Sequence, residues 1–342
     1  MKPLATLLFL AVSWTGYAQN PVAELDRSVR EGKVDLKFDD AQGYLRALLE
    51  ALHIPIESQM AVYSKTSVQS LRIDPHNPRT LFFNDSVIVG WVRGGFIEIA
   101  VQDPRKGILF YTVDQRQWVH QVRARPFFEP RQDCLNCHVS GTLLRSVSTG
   151  PDGVPVPGTP ELNTDQRTPF DQLWGGWYVT GNSGSQHHRG NGVLAFNTDA
   201  YLSPYSDIVA LMVFEHQTRM MNLIARAATD RSVINELVDS LLFVDEPPLA
   251  DKITGSSGFA EKFAAIGPLR QFDLEHRLMR YPCSYMIYTE AFDALPADTK
   301  DAIYRRMWQV LQGKDNGQAV MEILRATKKD LPDGFRATSA QR

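Results

Sequence analysis

The sequence predicts an α+β fold in which an antiparallel sheet comes first and helices form most of the C-terminal half. Three observations support this prediction. Residues 80–114 contain four short runs of β-branched and aromatic residues, separated by turn-forming residues. Residues 126–200 are rich in Gly, Pro, Asn and Asp and show no regular periodicity. From residue 206 onward, apolar residues recur at helical spacing.

The first eighteen residues have the pattern of an export signal. Lys2 supplies a positive charge, residues 4–14 form an apolar run, and residues 16–18 (Gly-Tyr-Ala) supply the small residues that a signal peptidase reads. We therefore expect a mature chain that begins at Gln19 and lies in the periplasm or is secreted. An uncleaved anchor is the alternative, although the run is shorter than the roughly 20 apolar residues that span a membrane.

Residues 19–125 are predicted to form an N-terminal α+β region. Leucines at helical spacing predict a helix over 36–56 that flanks the sheet. The sheet itself is predicted as an antiparallel meander, because turn residues at 84–85, 94–95 and 104–107 separate its strands. The predicted strands cover 81–83, 87–92, 96–101 and 108–113.

The irregular region 126–200 carries the most informative motif of the chain. Residues 134–138 read Cys-Leu-Asn-Cys-His, the C-x-x-C-H pattern of covalent haem attachment. Cys134 and Cys137 can each form a thioether with a haem vinyl group, and His138 can bind the iron. A redox dithiol is the alternative, but the following His and the lack of a surrounding β-α-β pattern argue against it. We therefore predict one covalent haem c, with its iron, in an irregular haem-binding middle region.

Other residues of this region are candidates for haem contacts. Four arginines precede the motif: Arg116, Arg123, Arg125 and Arg131. Arginine geometry suits the carboxylates of the haem propionates, and we assign Arg123 and Arg125 to this role. The alternative is that these arginines are solvated surface charges. Trp174 and Trp177 are predicted to pack near the haem or to serve as electron-hopping sites. The alternative for both tryptophans is ordinary core packing.

The second axial ligand of the iron is predicted to be a histidine, because no Met occurs between His138 and Met212. His188 is the first candidate, since it lies in a Gly-rich loop that allows a close approach to a flat cofactor. His216 is the second, because it lies on an apolar face of a predicted helix. The alternatives are a core histidine for His216 and an exposed loop for His188. His120 is a weaker candidate.

The C-terminal half reads as a series of helices broken by Pro and Gly. The predicted helices cover 206–228, 231–243, 257–265, 284–293, 298–312 and 316–327. Cys283 is the third cysteine of the chain and is predicted to be buried. The predicted division is a signal peptide (1–18), the N-terminal region (19–125), the haem-binding region (126–200) and a helical region (201–342). A single integrated domain over 19–342 is the alternative.

Composition excludes some classes of partner. With 36 Lys and Arg against 39 Asp and Glu, the formal net charge is −3, and no basic run of the kind that grips nucleic acid is present. No stretch after the signal is long and apolar enough to predict a transmembrane segment. The partners we expect are therefore periplasmic electron donor and acceptor proteins.

The haem motif makes the chain resemble c-type cytochromes over a few residues. More of the chain resembles a family of exported bacterial proteins that have a single c-type haem motif and no assigned function. The segments that carry this resemblance are SQMAVYSKTS at 58–67, FFND at 82–85, WGGWYVTG at 174–181, HRGN at 188–191, EHQ at 215–217 and YPCSY at 281–285. The resemblance implies a haem protein, and it places His188 rather than His187 in a shared segment.

Two functions follow from these patterns. The first is a periplasmic monohaem c-type cytochrome that transfers single electrons between redox partners. The second is a haem enzyme, peroxidase-like or oxidase-like, with an open or weakly ligated distal site and a histidine and an arginine as acid–base and charge-stabilising groups. We expect the first, and an optical spectrum with and without carbon monoxide separates the two.

Overall fold

The computed structural model describes residues 20–336, except 120, 121, 124, 137, 139, 140 and 194–196. The predicted signal peptide therefore lies outside the described residues, as do Cys137 and His120. Within the described residues the fold is α+β, as the sequence predicts.

One seven-stranded antiparallel sheet forms the framework of the N-terminal half. Its strands lie in the order β11-β1-β2-β3-β4-β5-β8. Their bounds are β1 Met60–Val62, β2 Arg79–Phe83, β3 Val87–Trp91, β4 Ile97–Asp103, β5 Gly107–Val113, β8 Phe128–Pro130 and β11 Trp177–Tyr178. Four shorter strands form two separate pairs: β6 Trp118–Val119 with β7 Val122–Arg123, and β9 Leu144–Ser146 with β10 Leu162–Thr164.

The predicted meander is confirmed as β2 to β5, with strand bounds within two residues of those expected. Both edges of the sheet come from the irregular region, since β8 pairs with β5 and β11 pairs with β1. The predicted boundary near residue 125 therefore falls inside a shared sheet.

The first face of the sheet is sealed by two N-terminal helices, α1 (Pro21–Arg30) and α2 (Leu45–Ala51). Helix α1 begins after Asn20, whose side chain accepts a hydrogen bond from the Ala23 amide at 3.0 Å. The predicted helix over 36–56 is wrong in extent, because a turn closed by Asp39 and Gly43 occupies its first half. The apolar side chains of this face form a core with both helices: Phe82, Val87, Val89, Trp91, Ile97, Ile99, Val101 and Val113.

The second face of the sheet packs partly against helix α3 (Ile208–Ala227), which is buried along most of its length. The C-terminal helices surround α3 and confirm the predicted helical half. Two of the predicted α-helices are shorter than expected, because 3-10 turns at Arg231–Val233 and Tyr285–Tyr288 take their first residues. Their bounds are α4 Ile234–Leu241, α5 Phe259–Ala264, α6 Glu290–Asp293, α7 Ala297–Leu311, α8 Gly317–Thr327 and α9 Asp333–Arg336. Cys283 is fully buried among them, as predicted, and burial raises the pKa of its thiol to about 12.

Asp207 joins helix α3 to a distant loop. Its Oδ1 accepts the amides of Val209 and Ala210, which caps the helix. Its Oδ2 accepts the amides of Ser256 and Ser257 at 2.6 and 2.7 Å. The carboxylate is fully buried, so these donors replace the water that it loses.

Over the part of the chain that the structure describes, none of the helices has the length and apolar character needed to cross a membrane.

Candidate functional site

An open cleft lies between the second face of the sheet and the segment that carries the haem motif. Side chains alternate between the two faces along each strand, so every second side chain of β2 to β5 is on the side of this cleft. Most of its wall is apolar, with Val62, Ile73, Leu81, Ile88, Phe96, Ala100, Phe110, Trp177 and Phe214. Cys134 and His138 lie on its edge. The cleft therefore combines an apolar surface with the two described residues of the motif.

The His138 imidazole is held in a defined orientation. Its Nδ1 lies 3.0 Å from the carbonyl oxygen of Gly141, and a carbonyl can only accept, so Nδ1 carries the proton. The other nitrogen, Nε2, is then the one with a free lone pair. Burial lowers the pKa of His138, which favours the neutral imidazole that binds metals. The ring also lies against Phe110, with 5.0 Å between ring centroids.

The backbone that supplies this carbonyl is fixed to helix α3. Gly141 has a φ of +100°, a conformation that favours glycine. The next residue, Thr142, donates its amide to Asn222 Oδ1 at 2.9 Å and accepts from Asn222 Nδ2 at 2.6 Å. The Gly141 carbonyl thus has a fixed position, and so does the imidazole that it orients.

Cys134 lies in a short 3-10 turn, Asp133–Asn136, and is half-buried. Its neighbour Leu135 is 48% exposed, so this side of the motif faces solvent. The amide of His138 donates to the Cys134 carbonyl at 2.9 Å. Cys134 and His138 are therefore brought together, while the position of Cys137 lies outside the described residues.

Three arginines line the cleft: Arg79, Arg131 and Arg145. Arg131 is paired with Asp133 through two nitrogens, at 2.8 and 2.5 Å, and Arg145 lies 3.5 Å from Glu161. The arginines that the sequence assigned to the haem lie elsewhere or are not described. Arg125 is exposed, and its Nη1 donates to the Arg30 carbonyl at 3.3 Å; the Arg123 side chain is outside the described structure.

Arg79 and Glu98 form an ion pair on the sheet face inside the cleft. Arg79 Nη1 lies 3.0 Å from Glu98 Oε2, and the two side chains are only 22% and 21% exposed. Ser67 donates to the other carboxylate oxygen at 3.1 Å. Arg79 Nε is buried and has no hydrogen-bond acceptor among the described residues. An ion pair with one unused hydrogen-bond donor therefore faces a cleft whose wall is mostly apolar.

Gly90 leaves room for this ion pair. It lies on β3 opposite Leu81 on one side and Glu98 on the other. A Cβ at this position would lie 3.1 Å from Leu81 Cδ2, 3.2 Å from Glu98 Oε2 and 3.6 Å from Arg79 Nε. The missing side chain leaves room for the two charged groups to meet over the strand.

The two predicted tryptophans have different surroundings. Trp177 lines the cleft, and its Nε1 donates to the Arg145 carbonyl at 2.8 Å. Trp174 is buried outside the cleft, with Phe170 and His188 against its ring.

Neither histidine that was predicted as the second axial ligand lines the cleft. His188 packs on Trp174 and Phe170, and its Nδ1 accepts the Gly190 amide at 3.1 Å. His216 is fully buried in the helical core, where its Nε2 lies 2.6 Å from Ser284 Oγ and its ring stacks on Phe243. Burial lowers the pKa of His216 to about 3. Among the cleft residues that the structure describes, His138 is the only histidine.

Sequence reasoning missed Arg79, Glu98, Arg145 and Gly141. One signal was present, because Glu98 interrupts an apolar strand between Ile97 and Ile99 and must face away from the core that those two residues enter. Comparison with protein-family models, with curated proteins and with solved structures gives no match for this chain.

Proposed function

We propose that the chain is an exported monohaem c-type cytochrome that passes single electrons between partner proteins in the periplasm or outside the cell. One observation carries this proposal. The histidine of the C-x-x-C-H motif lies at an apolar cleft, with Nδ1 bound to the Gly141 carbonyl and Nε2 left with a free lone pair. That arrangement is typical of a metal-binding histidine, whose second nitrogen is tied to a hydrogen-bond acceptor.

The residues of the cleft fit a haem c. Cys134 and Cys137 would hold it covalently, and His138 would bind the iron on one side. The apolar wall would cover the porphyrin, with Phe110 and Trp177 as its aromatic parts. Arg131 and Arg145 would meet the propionates, in place of the Arg123 and Arg125 expected from the sequence. Bound haem supplies one-electron chemistry, and the protein supplies its orientation and surroundings.

Electron transfer also needs a surface where a partner can approach the cofactor. Leu135 lies within the motif and is 48% exposed, and Val68 lines the cleft with 66% exposure. One lies in the motif and the other at the cleft, and they are the apolar contacts that we propose for a redox partner.

The second candidate is a haem enzyme with an open or weakly ligated distal site. The observation in its favour is the Arg79–Glu98 pair, which puts a cation and a carboxylate into the cleft. Oxidoreductases that activate small molecules at haem use such groups for proton transfer and charge stabilisation. The distal histidine remains a prediction, with His188 first and His216 second.

The test begins with the full-length precursor produced in a host that matures c-type cytochromes. We expect the mature chain to begin at Gln19, and N-terminal mass analysis checks this. A denaturing gel stained for haem should show one band that survives acidified-acetone extraction. Cys134→Ala and Cys137→Ala should lose the stain, whereas Cys283→Ala should keep it. Loss of the haem from the unaltered chain on extraction would contradict covalent attachment.

Optical spectra then separate the two candidates. A low-spin haem that does not bind carbon monoxide when reduced supports the electron carrier, and ready carbon monoxide binding supports the enzyme. If His188 or His216 binds the iron, its replacement by Ala should convert low-spin haem to high-spin haem. An unchanged spin state in both variants would exclude both residues as ligands.

A further inference from the structure

The Arg79–Glu98 pair leaves one of its hydrogen-bond donors without an acceptor among the described residues. Glu98 binds Ser67 and Arg79 and holds the guanidinium in place. Arg79 Nε stays without an acceptor among the described residues, although it is buried. A buried donor without a partner costs about 1–3 kcal/mol. A molecule in the cleft that accepts a hydrogen bond from this guanidinium would satisfy the donor.

The pair lies close to the residues that would hold the haem. Arg79, Glu98, Cys134 and His138 all line one cleft. A ligand at the pair would therefore be a neighbour of a bound haem.

The charges limit the chemistry of this ligand. A simple anion would be attracted by Arg79 and repelled by Glu98, whose carboxylate lies within 3.0 Å of the guanidinium. A small neutral molecule with an acidic proton fits both groups. It can donate that proton towards the Glu98 carboxylate and offer a lone pair to the Arg79 Nε–H group.

We propose that Arg79 and Glu98 form a binding site for small protic molecules of the type H–A, such as hydrogen cyanide or hydrogen peroxide, inside the haem cleft. The molecule binds intact: it donates its hydrogen to the Glu98 carboxylate, and a lone pair on A accepts a hydrogen bond from the Arg79 guanidinium. No covalent bond breaks at the pair, so both residues keep their charges. Gly90 is part of the site, since even a Cβ there would lie 3.2 Å from Glu98 Oε2 and 3.6 Å from Arg79 Nε.

The proposal rests on the second candidate function, a haem in the cleft with an open or weakly ligated distal site, and cyanide is the probe. Equilibrium titration of the ferric holoprotein with cyanide at neutral pH, read from the haem absorption bands, measures the affinity. Arg79→Met and Glu98→Gln should each weaken cyanide binding about tenfold to a hundredfold, the loss of one hydrogen bond to a charged group. Arg79→Lys keeps a cation but not the Nε donor, and we expect an intermediate loss.

Carbon monoxide is the control ligand, because it has neither a proton nor a charge. Its affinity for the reduced protein should stay within about twofold in every variant, since no hydrogen bond is removed. Arg231→Met and Asp298→Asn change an exposed ion pair outside the cleft and serve as matched control variants. They should leave both affinities unchanged. Thermal unfolding and haem content of each variant show whether it folds and carries the cofactor.

The outcomes separate this inference from the proposed function. A chain without covalent haem would contradict the proposed function itself. A haem-loaded chain that binds no cyanide, or binds it equally in the cleft variants and controls, would overturn the inference and leave the haem assignment standing. Equal losses for cyanide and carbon monoxide would show a general disturbance of the cleft and overturn it too. If Arg79→Met loses haem while cyanide affinity per haem is unchanged, Arg79 binds a propionate instead.

Discussion

The two faces of the seven-stranded sheet are built from the same strands and have different covers. On the first face, helices α1 and α2 close over an apolar core that includes Phe82, Val89 and Ile99. On the second face, helix α3 covers only part of the strands, and the rest forms the wall of the cleft. The cleft wall contains Arg79, Glu98 and the bare backbone of Gly90.

The difference shows how one sheet serves stability and chemistry at once. Side chains alternate between the faces, so each strand contributes to both without a break in its hydrogen bonding. The sealed face has apolar side chains whose packing stabilises the fold. The open face can hold charges, because a molecule in the cleft can complete their surroundings.

The largest expected effect tests the sealed face against the open one. Phe82→Ala removes a fully buried ring and should lower the free energy of unfolding by about 3–5 kcal/mol. Phe110→Ala removes a half-buried ring of the cleft wall and should cost about 1 kcal/mol. Urea unfolding of the haem-loaded protein, followed by circular dichroism, measures both. Only Phe110→Ala should also shift the haem absorption bands, and equal losses of stability would contradict the comparison.

The second test concerns helix α3, the cover of the open face. Burial raises the pKa of Glu215 to about 8, from an ordinary value of 4.5, with the charge of Asp165 adding to it. The neutral acid is thus favoured in the folded state, and the unfolded chain ionises first. The stability linked to this group is complete below pH 4.5 and is lost as the pH rises to about 8.

Glu215→Gln should remove this dependence. Gln keeps an oxygen that can accept the Thr164 hydroxyl, which lies 2.9 Å from Glu215 Oε1. Between about pH 6 and pH 8 the unaltered chain should lose about 2 kcal/mol more stability than the variant. Urea midpoints at several pH values give the difference. Glu261→Gln removes an exposed carboxyl and is the control; the same change of slope in that variant would sink the assignment to Glu215.

The smallest effect comes from filling the space over β3. Gly90→Val places methyl groups against Leu81 and Glu98, where even a Cβ would be about 3 Å from both. We expect a loss of about 1–2 kcal/mol from overpacking, together with weaker cyanide binding. Val89→Ala, one residue earlier and on the sealed face, is the comparison. It should lower stability and leave cyanide affinity unchanged, and the reverse pattern would refute the division of roles.

Much of the fold could be predicted because its signals are local. Alternation and turn residues located β2 to β5, and Pro and Gly located the ends of the C-terminal helices. The prediction of a helix over 36–56 was wrong in extent because it relied on the spacing of the leucines alone. Asp39 forms a turn instead, since its side chain accepts the amides of Ala41 and Gln42. Helix α1 was missed because it directly follows the expected cleavage site.

The candidate site was predictable only where it is contiguous in sequence. Cys134 and His138 follow from five adjacent residues. Arg79, Glu98 and Arg145 are far apart in the chain and meet only when the sheet has formed, so no spacing rule could find them. His216 had a helical position consistent with a ligand, but the same apolar face leads into the core, where Ser284 binds its ring.

The buried carboxylate of Asp207 has a consequence for engineering. Its four amide donors come from two segments about fifty residues apart, one opening helix α3 and the other in the loop before α5. The helix cap is local to Asp207, whereas the amides of Ser256 and Ser257 depend on this carboxylate as their acceptor. A shortened chain cut before residue 206 would lose this junction along with the helix that fixes Gly141 through Asn222. The C-x-x-C-H segment therefore depends on the helical half of the chain. Transferring this segment to another scaffold would require transferring the helical half as well.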